Sequence, residues 1–172
     1  MSTLKVNKII PTAGVPTGGG GGITQVKQTV KKDVTSQSST STSTFNDISG
    51  LSVTITPTSS TNKILVRFCV QMSTNYENSN GHIRLLKDGN TISDFTGSDG
   101  TVSNGAMFTR MGSKWELGDF NNEFLDTAGT TSTISYQLQW STEDGRTIYL
   151  NRRGGSAEYG AVSYITAMEV SA

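Results

Sequence analysis

Short segments in which apolar and polar residues alternate recur along the chain and constrain its fold more than any other feature. In residues 63–72, KILVRFCVQM, every second side chain is large and apolar, and residues 132–140, STISYQLQW, alternate still more strictly. Successive side chains of a strand point to opposite faces, so this period of two predicts strands with one buried face. Eight or more such segments follow one another at a spacing of about ten residues, which is typical of a β-sandwich or barrel.

The composition agrees with an all-β chain. Hydrophobic residues make up 33% of the sequence and charged residues 16%, and much of the remainder is Ser, Thr, Gly and Asn. Ser and Asn compete for backbone hydrogen bonds and are poor in helix interiors, whereas Thr, Val, Ile and Tyr suit strands. No segment shows a convincing helical period. The strongest hairpin signal is the turn from Lys87 to Asn90, KDGN, because Asp-Gly favours the turn that matches strand twist.

Several strands carry uncharged side chains on both faces. These neighbours are Leu65 and Cys69 beside Phe68, Leu85 beside Leu86, and Tyr164 beside Ile165. One face of each strand in a lone two-layer sandwich meets water, so a second uncharged face predicts burial against another subunit. The alternative, a side chain that is simply exposed, accounts for any one of them. We predict a jelly-roll-like antiparallel β-sandwich head domain that forms a homotrimer.

The first 22 residues differ from the rest and are predicted to be an arm that cannot fold alone. Its apolar side chains are Leu4, Val6, Ile9 and Ile10, and no partner segment is near them. Pro11 and Pro16 oppose a helix or a central strand, and the hinge consists of Gly18, Gly19, Gly20, Gly21 and Gly22. We therefore divide the chain into an extended N-terminal anchoring arm, residues 1–22, and the β-sandwich head, residues 23–172.

Charge and hydropathy exclude several classes of partner. The formal net charge is zero, so the whole chain has no electrostatic attraction to nucleic acid or to an anionic membrane. No apolar run approaches the roughly 20 residues that span a bilayer, and the N-terminus lacks a signal-peptide layout. We expect synthesis in a bacterial cytoplasm, with no membrane insertion. The single cysteine, Cys69, excludes an intrachain disulfide.

Catalytic signals are weak. The one histidine, His82, follows the loop-like stretch 78–81 without triad or metal spacing, and is predicted to be a surface or turn residue. Cys69 lies within an apolar strand and is predicted to be a small, inert core residue. The carboxylate pairs are Glu116 with Asp119, Glu123 with Asp126, and Glu143 with Asp144. Adjacency in sequence does not establish the opposed geometry of glycosidases, so we predict that the protein is not an enzyme.

The sequence predicts no cofactor and no metal. The five glycines lack the Lys-Ser/Thr of a phosphate loop and precede a strand pattern, so they indicate a hinge. Asp94, Ser98 and Asp99 offer oxygen ligands for calcium, but tight turns need the same residue types and turn formation is the better explanation. Arg146, Arg152 and Arg153 form the basic cluster, which suits carboxylate pairing, an acidic glycan or a solvated turn.

Aromatic residues near segments rich in Asn, Gly and Asp are the better binding candidates. They are Tyr76, Trp115, Phe120 and Tyr159. Aromatic rings flanked by hydrogen-bonding side chains are common in sugar and protein recognition. Core packing is an equal alternative for Trp115 and Phe120.

Two segments resemble a known group of proteins. The opening LKVNKIIPTAGVPTGGGGGI, followed by TFNDISGLSVTITPTSSTNKILV, is similar to tail-fibre-like and virion structural proteins of tailed bacteriophages, especially of marine cyanobacterial phages. The resemblance covers about the first 70 residues, and beyond them only the pattern of strands matches. The C-terminal SYITAMEV also resembles strands of tumour-necrosis-factor-like and complement-type trimers, in architecture alone.

This resemblance implies a virion protein whose N-terminal arm docks on the particle, through a tail adaptor, a nozzle or the capsid, while a trimeric β head points outward. The implied function is a tail fibre that attaches to a glycan or protein on the host cell. A capsid decoration or head-fibre protein is the first alternative. A depolymerase acting on surface polysaccharide is the second.

Overall fold

The computed structural model describes residues 22–38, 41–97, 107–143, 145–156 and 160–172. The strands are β1 Ile23–Lys31, β2 Thr35–Ser38, β3 Asn46–Ile55, β4 Lys63–Thr74, β5 Ser79–Lys87, β6 Asn90–Thr91, β7 Met107–Met111, β8 Gly118–Thr127, β9 Ile134–Thr142, β10 Thr147–Leu150 and β11 Ser163–Val170. A 3₁₀ turn spans Ser93–Phe95. The predicted anchoring residues of the arm lie outside the described residues, as does its hinge except for Gly22. In the parts that are described, no helix is long and apolar enough to cross a membrane.

The first sheet has β4 near its centre. β4 pairs with β8 along one side, and on the other side with β11 and then β10, which lie end to end. β1 and β2 form the outer edge, β1 beside β11 and β2 beside β10. All of these pairings are antiparallel. Both β1 and β2 therefore lie at an edge of this sheet.

The second sheet has the order β3, β9, β5, and then β7 and β6 end to end. Eight strands remain when the end-to-end pieces β1/β2, β6/β7 and β10/β11 are each counted once. Their order is first, eighth, third, sixth in one sheet and second, seventh, fourth, fifth in the other. This is the strand order of a jelly roll, so the predicted jelly-roll-like antiparallel β-sandwich is confirmed.

The core lies between the two sheets and uses the alternating residues as predicted. The inward residues of β4, from Ile64 to Met72, are buried, as are those of β9, from Ile134 to Trp140. Tyr136 is fully buried, and its hydroxyl donates to Asp126 Oδ2 at 2.6 Å. Burial and the Asp126 carboxylate raise the pKa of Tyr136 well above its usual range. A polar atom in the core is thus satisfied by a carboxylate at the sheet edge.

The predicted hairpin is confirmed by its backbone. Asp88 has a φ of 49° and Gly89 a φ of 79°, and Lys87 pairs with Asn90 across the turn. Two successive left-handed residues define the turn that suits strand twist.

One strand lies later in the sequence than its pattern indicates. The pattern in SKWELGDF, residues 113–120, predicts a strand, but β8 begins only at Gly118 and runs to Thr127. Residues 112–117 form a loop instead.

Candidate functional site

The sandwich has two ends, defined here by the direction of β4. At its Lys63 end the described chain begins, where the carbonyl oxygen of Gly22 accepts a hydrogen bond from Ser171 N at 3.2 Å. We call this the proximal end. At the Thr74 end lie the loops 75–78 and 112–117, residues 143 and 145–146, and residues 152–156, which together we call the distal loops. β4 has 12 residues, so the two ends are about 35 Å apart.

Tyr76 lies at the distal end, in a loop that is held in place by hydrogen bonds. Asn75 N donates to Thr147 O at 3.0 Å, and Thr147 N donates to Asn75 Oδ1 at 2.9 Å. The ring of Tyr76 is 52% exposed, and the guanidinium of Arg146 lies 3.4 Å from its centroid. This cation–π contact fixes the ring while leaving about half of it accessible. The predicted basic cluster does not act on one ring. The guanidinium of Arg152 instead lies 4.4 Å from the centroid of the Tyr149 ring.

Trp115 is the second accessible aromatic residue of the distal loops, at 49% exposure. Its ring rests on Gly155, whose amide donates to Lys114 O at 2.9 Å. A Cβ on Gly155 would come within 2.7 Å of the indole, and a Cβ on Gly154 within 1.7 Å of Thr74 O. Glycine is therefore required at both positions, because residues 154 and 155 pass closely between β4 and Trp115.

A cleft of about 290 Å³ opens among these loops. It is lined by Asn75, Tyr76, Glu77 and Lys114. The Lys114 ammonium also lies 5.7 Å from the centroid of the Trp115 ring. The cleft thus combines an aromatic face with an amide, a carboxylate and an ammonium group. Its volume is near the lower end of the range for small-molecule sites, which suits one or two sugar rings or a short polar side-chain group.

The structure separates the predicted binding residues. Tyr76 and Trp115 are brought to the distal loops, whereas Phe120 has 0% exposure and packs in the core from β8. Phe120 is therefore corrected from a receptor-binding candidate to a core residue. Tyr159 lies outside the described residues. Sequence reasoning missed Glu77 and Lys114, because their relation to Tyr76 arises only when separate loops meet.

The prediction for His82 was wrong. His82 lies within β5, is 2% exposed, and its Nδ1 is 3.1 Å from Ser141 Oγ. Burial lowers its pKa below the usual value. The error arose because the glycine before His82 is typical of a loop in sequence, whereas in the structure it lies within β5.

The remaining chemical candidates are dispersed. Cys69 is buried as predicted, but it faces away from the core with Sγ 3.3 Å from Asp119 Oδ1, and burial raises the pKa of its thiol. Glu123 and Asp126 extend from opposite faces of β8. Among the described residues no three His, Cys, Asp or Glu side chains form a group able to hold a metal ion. Asp94 lies in the 3₁₀ turn, and Ser98, Asp99 and Asp144 lie outside the described residues.

We expect Gly155→Ala to displace the indole of Trp115 and to alter its fluorescence without unfolding the sandwich, because the new methyl group overlaps the ring. The measurement is tryptophan emission and quenching in a Trp140→Phe background, which leaves Trp115 as the reporter. Gly160→Ala is the matched control, since no atom lies within 4 Å of a Cβ there. Equal spectra for the two variants would contradict the described packing.

Comparison with known proteins gives little further information. No protein-family model and no curated protein matches the chain. Among solved structures, the chain is similar to VP2 of infectious bursal disease virus in its subviral particle, at 15% sequence identity and a TM-score of 0.35. The match covers 99% of this chain and 43% of VP2, so this chain spans less than half of that protein's length. The jelly-roll assignment rests on the strand order described above.

Proposed function

We propose that this protein is a tail fibre of a tailed bacteriophage, mounted on the virion through residues 1–22 and attached to the host cell through its distal loops. The observation that carries the proposal is the polarity of the head domain. The chain enters at the proximal end, beside Ser171, and the accessible rings of Tyr76 and Trp115 lie at the opposite end. A particle holding the arm would therefore present the distal loops outward.

The resemblance of the arm to virion proteins of tailed phages supports the docking role. Gly22, the last residue of the proposed hinge, is joined to the head domain, because its carbonyl oxygen accepts a hydrogen bond from Ser171 N. Each of Leu4, Val6, Ile9 and Ile10 can contribute about 1.5 to 3 kcal/mol when its side chain is buried in a groove of the particle. The arm can also add a strand to an exposed sheet edge of a virion protein.

The ligand of the distal loops is proposed to be a glycan or a polar protein surface on the host cell. The half-exposed ring of Tyr76 supplies a stacking face, and Asn75, Glu77 and Lys114 supply polar groups around the cleft. No catalytic step is proposed. Glu143, a carboxylate of the distal loops, is held in contacts outside the cleft, since it accepts hydrogen bonds from Asn80 Nδ2 at 2.6 Å and from Ser79 Oγ at 3.1 Å.

We expect the double variant Tyr76→Ala, Trp115→Ala to bind cyanobacterial host cells about 5- to 150-fold more weakly than the wild type. Loss of two accessible aromatic contacts removes about 1 to 3 kcal/mol of binding free energy. The measurement is retention of fluorescently labelled full-length protein on intact cells. Thr54→Ala, an exposed position on β3 away from the distal loops, is the control. Unchanged retention of the double variant on cells that bind the wild type would remove these loops as the attachment site.

A further inference from the structure

The exposed large apolar side chains are unevenly distributed. Among the described residues they are Ile23, Val26 and Val30 on β1, Leu125 on β8, Val34 and Val162 in the connections before β2 and β11, and Tyr76 and Trp115 in the distal loops. Both β1 and β8 are edge strands of the first sheet. In the described part of the second sheet, no strand carries such a side chain.

Strand register joins the exposed residues into a row. Val26 lies opposite Met168, Met168 opposite Leu65, and Leu65 opposite Leu125. Directly opposed residues of antiparallel strands share a face. Val26 is 55% and Leu125 56% exposed, and the two between them are partly buried. An apolar row therefore crosses the full width of the first sheet on its outer face.

A second row runs parallel to the first, from Val30 through Tyr164 and Cys69 to Asn121. Between the two rows lies a polar row, in which Arg67 and Glu123 are adjacent and exposed. Neither side chain takes part in an ion pair with any described residue. A groove of about 280 Å³ lies beside this row, lined by Arg67, Asn121, Asn122 and Glu123.

On the paired strands β4 and β8, the charges of the outer face are balanced and separated. The basic residues Lys63 and Arg67 are on β4 and the acidic residues Asp119 and Glu123 are on β8, so two positive and two negative charges cancel. A neutral face with separated charges does not favour an anionic lipid surface or nucleic acid. It favours a surface with the same charges in the opposite arrangement, which a rotated second copy supplies.

The outer face of the second sheet is a contrasting surface. Gln139 Nε2 donates to Asp47 Oδ1 at 2.7 Å, and Arg84 Nε donates to Gln139 Oε1 at 3.0 Å. The same guanidinium lies 4.3 Å from the ring centroid of Phe45. These polar groups are satisfied within the subunit, so this face gains little from a partner.

We propose that the outer face of the first sheet, with the rows led by Val26 and Val30, is the surface on which a second copy of this chain packs. The sheet face measures about 20 Å by 25 Å from strand spacing and rise. Two copies would bury about 1,000 Å² in total, which reaches the lower bound for a specific interface. Arg67 of one copy then pairs with Glu123 of the next, and the apolar rows are removed from water.

The test is sedimentation equilibrium of the full-length protein over a wide range of concentration. We expect the wild type to sediment as a multiple of 18.3 kDa. Leu125→Asp should weaken self-association about a hundredfold, because a carboxylate replaces an apolar contact and would be buried unpaired. Thr54→Asp is the matched control, since it places the same charge on β3, an edge strand of the second sheet.

Folding of each variant is checked by circular dichroism, and Val26→Asp provides a second variant from the opposite edge of the row. Dissociation of both row variants, with an intact oligomer for Thr54→Asp, supports the assignment. A wild type that stays monomeric, or row variants that remain as associated as the control, overturns it. These outcomes are separate from the cell-binding test, which depends on the distal loops.

Discussion

Replacing Asn151 with alanine is expected to lower the free energy of unfolding by about 3 to 5 kcal/mol. Asn151 is fully buried where β10 ends, and its φ of 59° is left-handed. Its Nδ2 donates to Lys31 O at 2.9 Å and to Asp33 O at 3.1 Å, and its Oδ1 accepts from Ser163 Oγ at 2.7 Å. One side chain thus joins the end of β1 to the start of β11.

Alanine at this position leaves buried partners without hydrogen bonds and also disfavours the left-handed backbone. The expected loss corresponds to a fall in Tm of about 6 to 20 °C for a chain of this size, measured by thermal unfolding. Asn151→Gly separates the two causes, because glycine tolerates the backbone but removes the same hydrogen bonds. Asn78→Ala is the matched control, since Asn78 has a φ of 53° but is exposed, and should cost only about 1 kcal/mol. Equal losses at Asn78 and Asn151 would refute the role of the side chain.

The strands that sequence predicted best are those whose two faces differ most. In β9, large apolar residues alternate with Ser and Gln, and each apolar one is buried. The hairpin at Asp88 and Gly89 was equally clear, because its turn demands particular backbone angles. In both cases a local requirement, either the alternation of buried and exposed side chains or the backbone angles of a turn, determines the structure.

The strand β8 was misplaced because its inward face is partly polar. Asn122 and Asp126 alternate with Phe120 and Phe124 on that face. Asp126 is acceptable there because it accepts the Tyr136 hydroxyl and pairs with the Lys87 ammonium at 2.6 Å. Such partners come from other strands, so a pattern of hydrophobicity along one segment does not reveal them.

The candidate site was predictable in part. Tyr76 and Trp115 are aromatic residues in polar surroundings, and this local signal identified them. The packing of Arg146 on Tyr76 and of Gly155 on Trp115 depends on loops that are far apart in sequence. Phe120 gave the same local signal, yet the start of β8 directs it into the core. Local composition indicates a binding residue only when the strand boundary is also known.

The proximal end is closed by a buried carboxylate without a cationic partner among the described residues. Glu169 has 0% exposure. It accepts hydrogen bonds from Gln25 Nε2 at 2.6 Å, Asn62 Nδ2 at 2.6 Å, Thr58 N at 2.7 Å and Thr58 Oγ1 at 2.8 Å. Burial alone would raise its pKa, but the hydrogen bonds from Gln25, Asn62 and Thr58 outweigh burial and lower the pKa to about 2. The charged form therefore links β1 and the β3–β4 turn to β11.

Glu169→Gln is expected to destabilise the protein by about 3 kcal/mol at neutral pH, a fall in Tm of about 6 to 12 °C. The glutamine side chain carries no charge. Its NH₂ group would also face a hydrogen-bond donor at a position where the carboxylate oxygen accepts a hydrogen bond. In the wild type, the folded pKa of about 2 lies below the unfolded value of 4.5. The stabilisation is therefore fully present above pH 4.5 and is lost as the pH falls towards 2. The difference in Tm between wild type and variant should be constant near neutral pH and shrink across that acidic window.

Thermal unfolding at a series of pH values measures this difference directly. Glu116→Gln is the matched control, because Glu116 is exposed in a distal loop and its replacement should change stability by no more than about 0.5 kcal/mol. A Tm difference for Glu169→Gln that stays constant down to pH 2 would show that the charge is not the stabilising feature. A shrinking difference, absent in Glu116→Gln, assigns the acid sensitivity of the proximal end to the Glu169 carboxylate, and this end is where the proposed arm leaves the head domain.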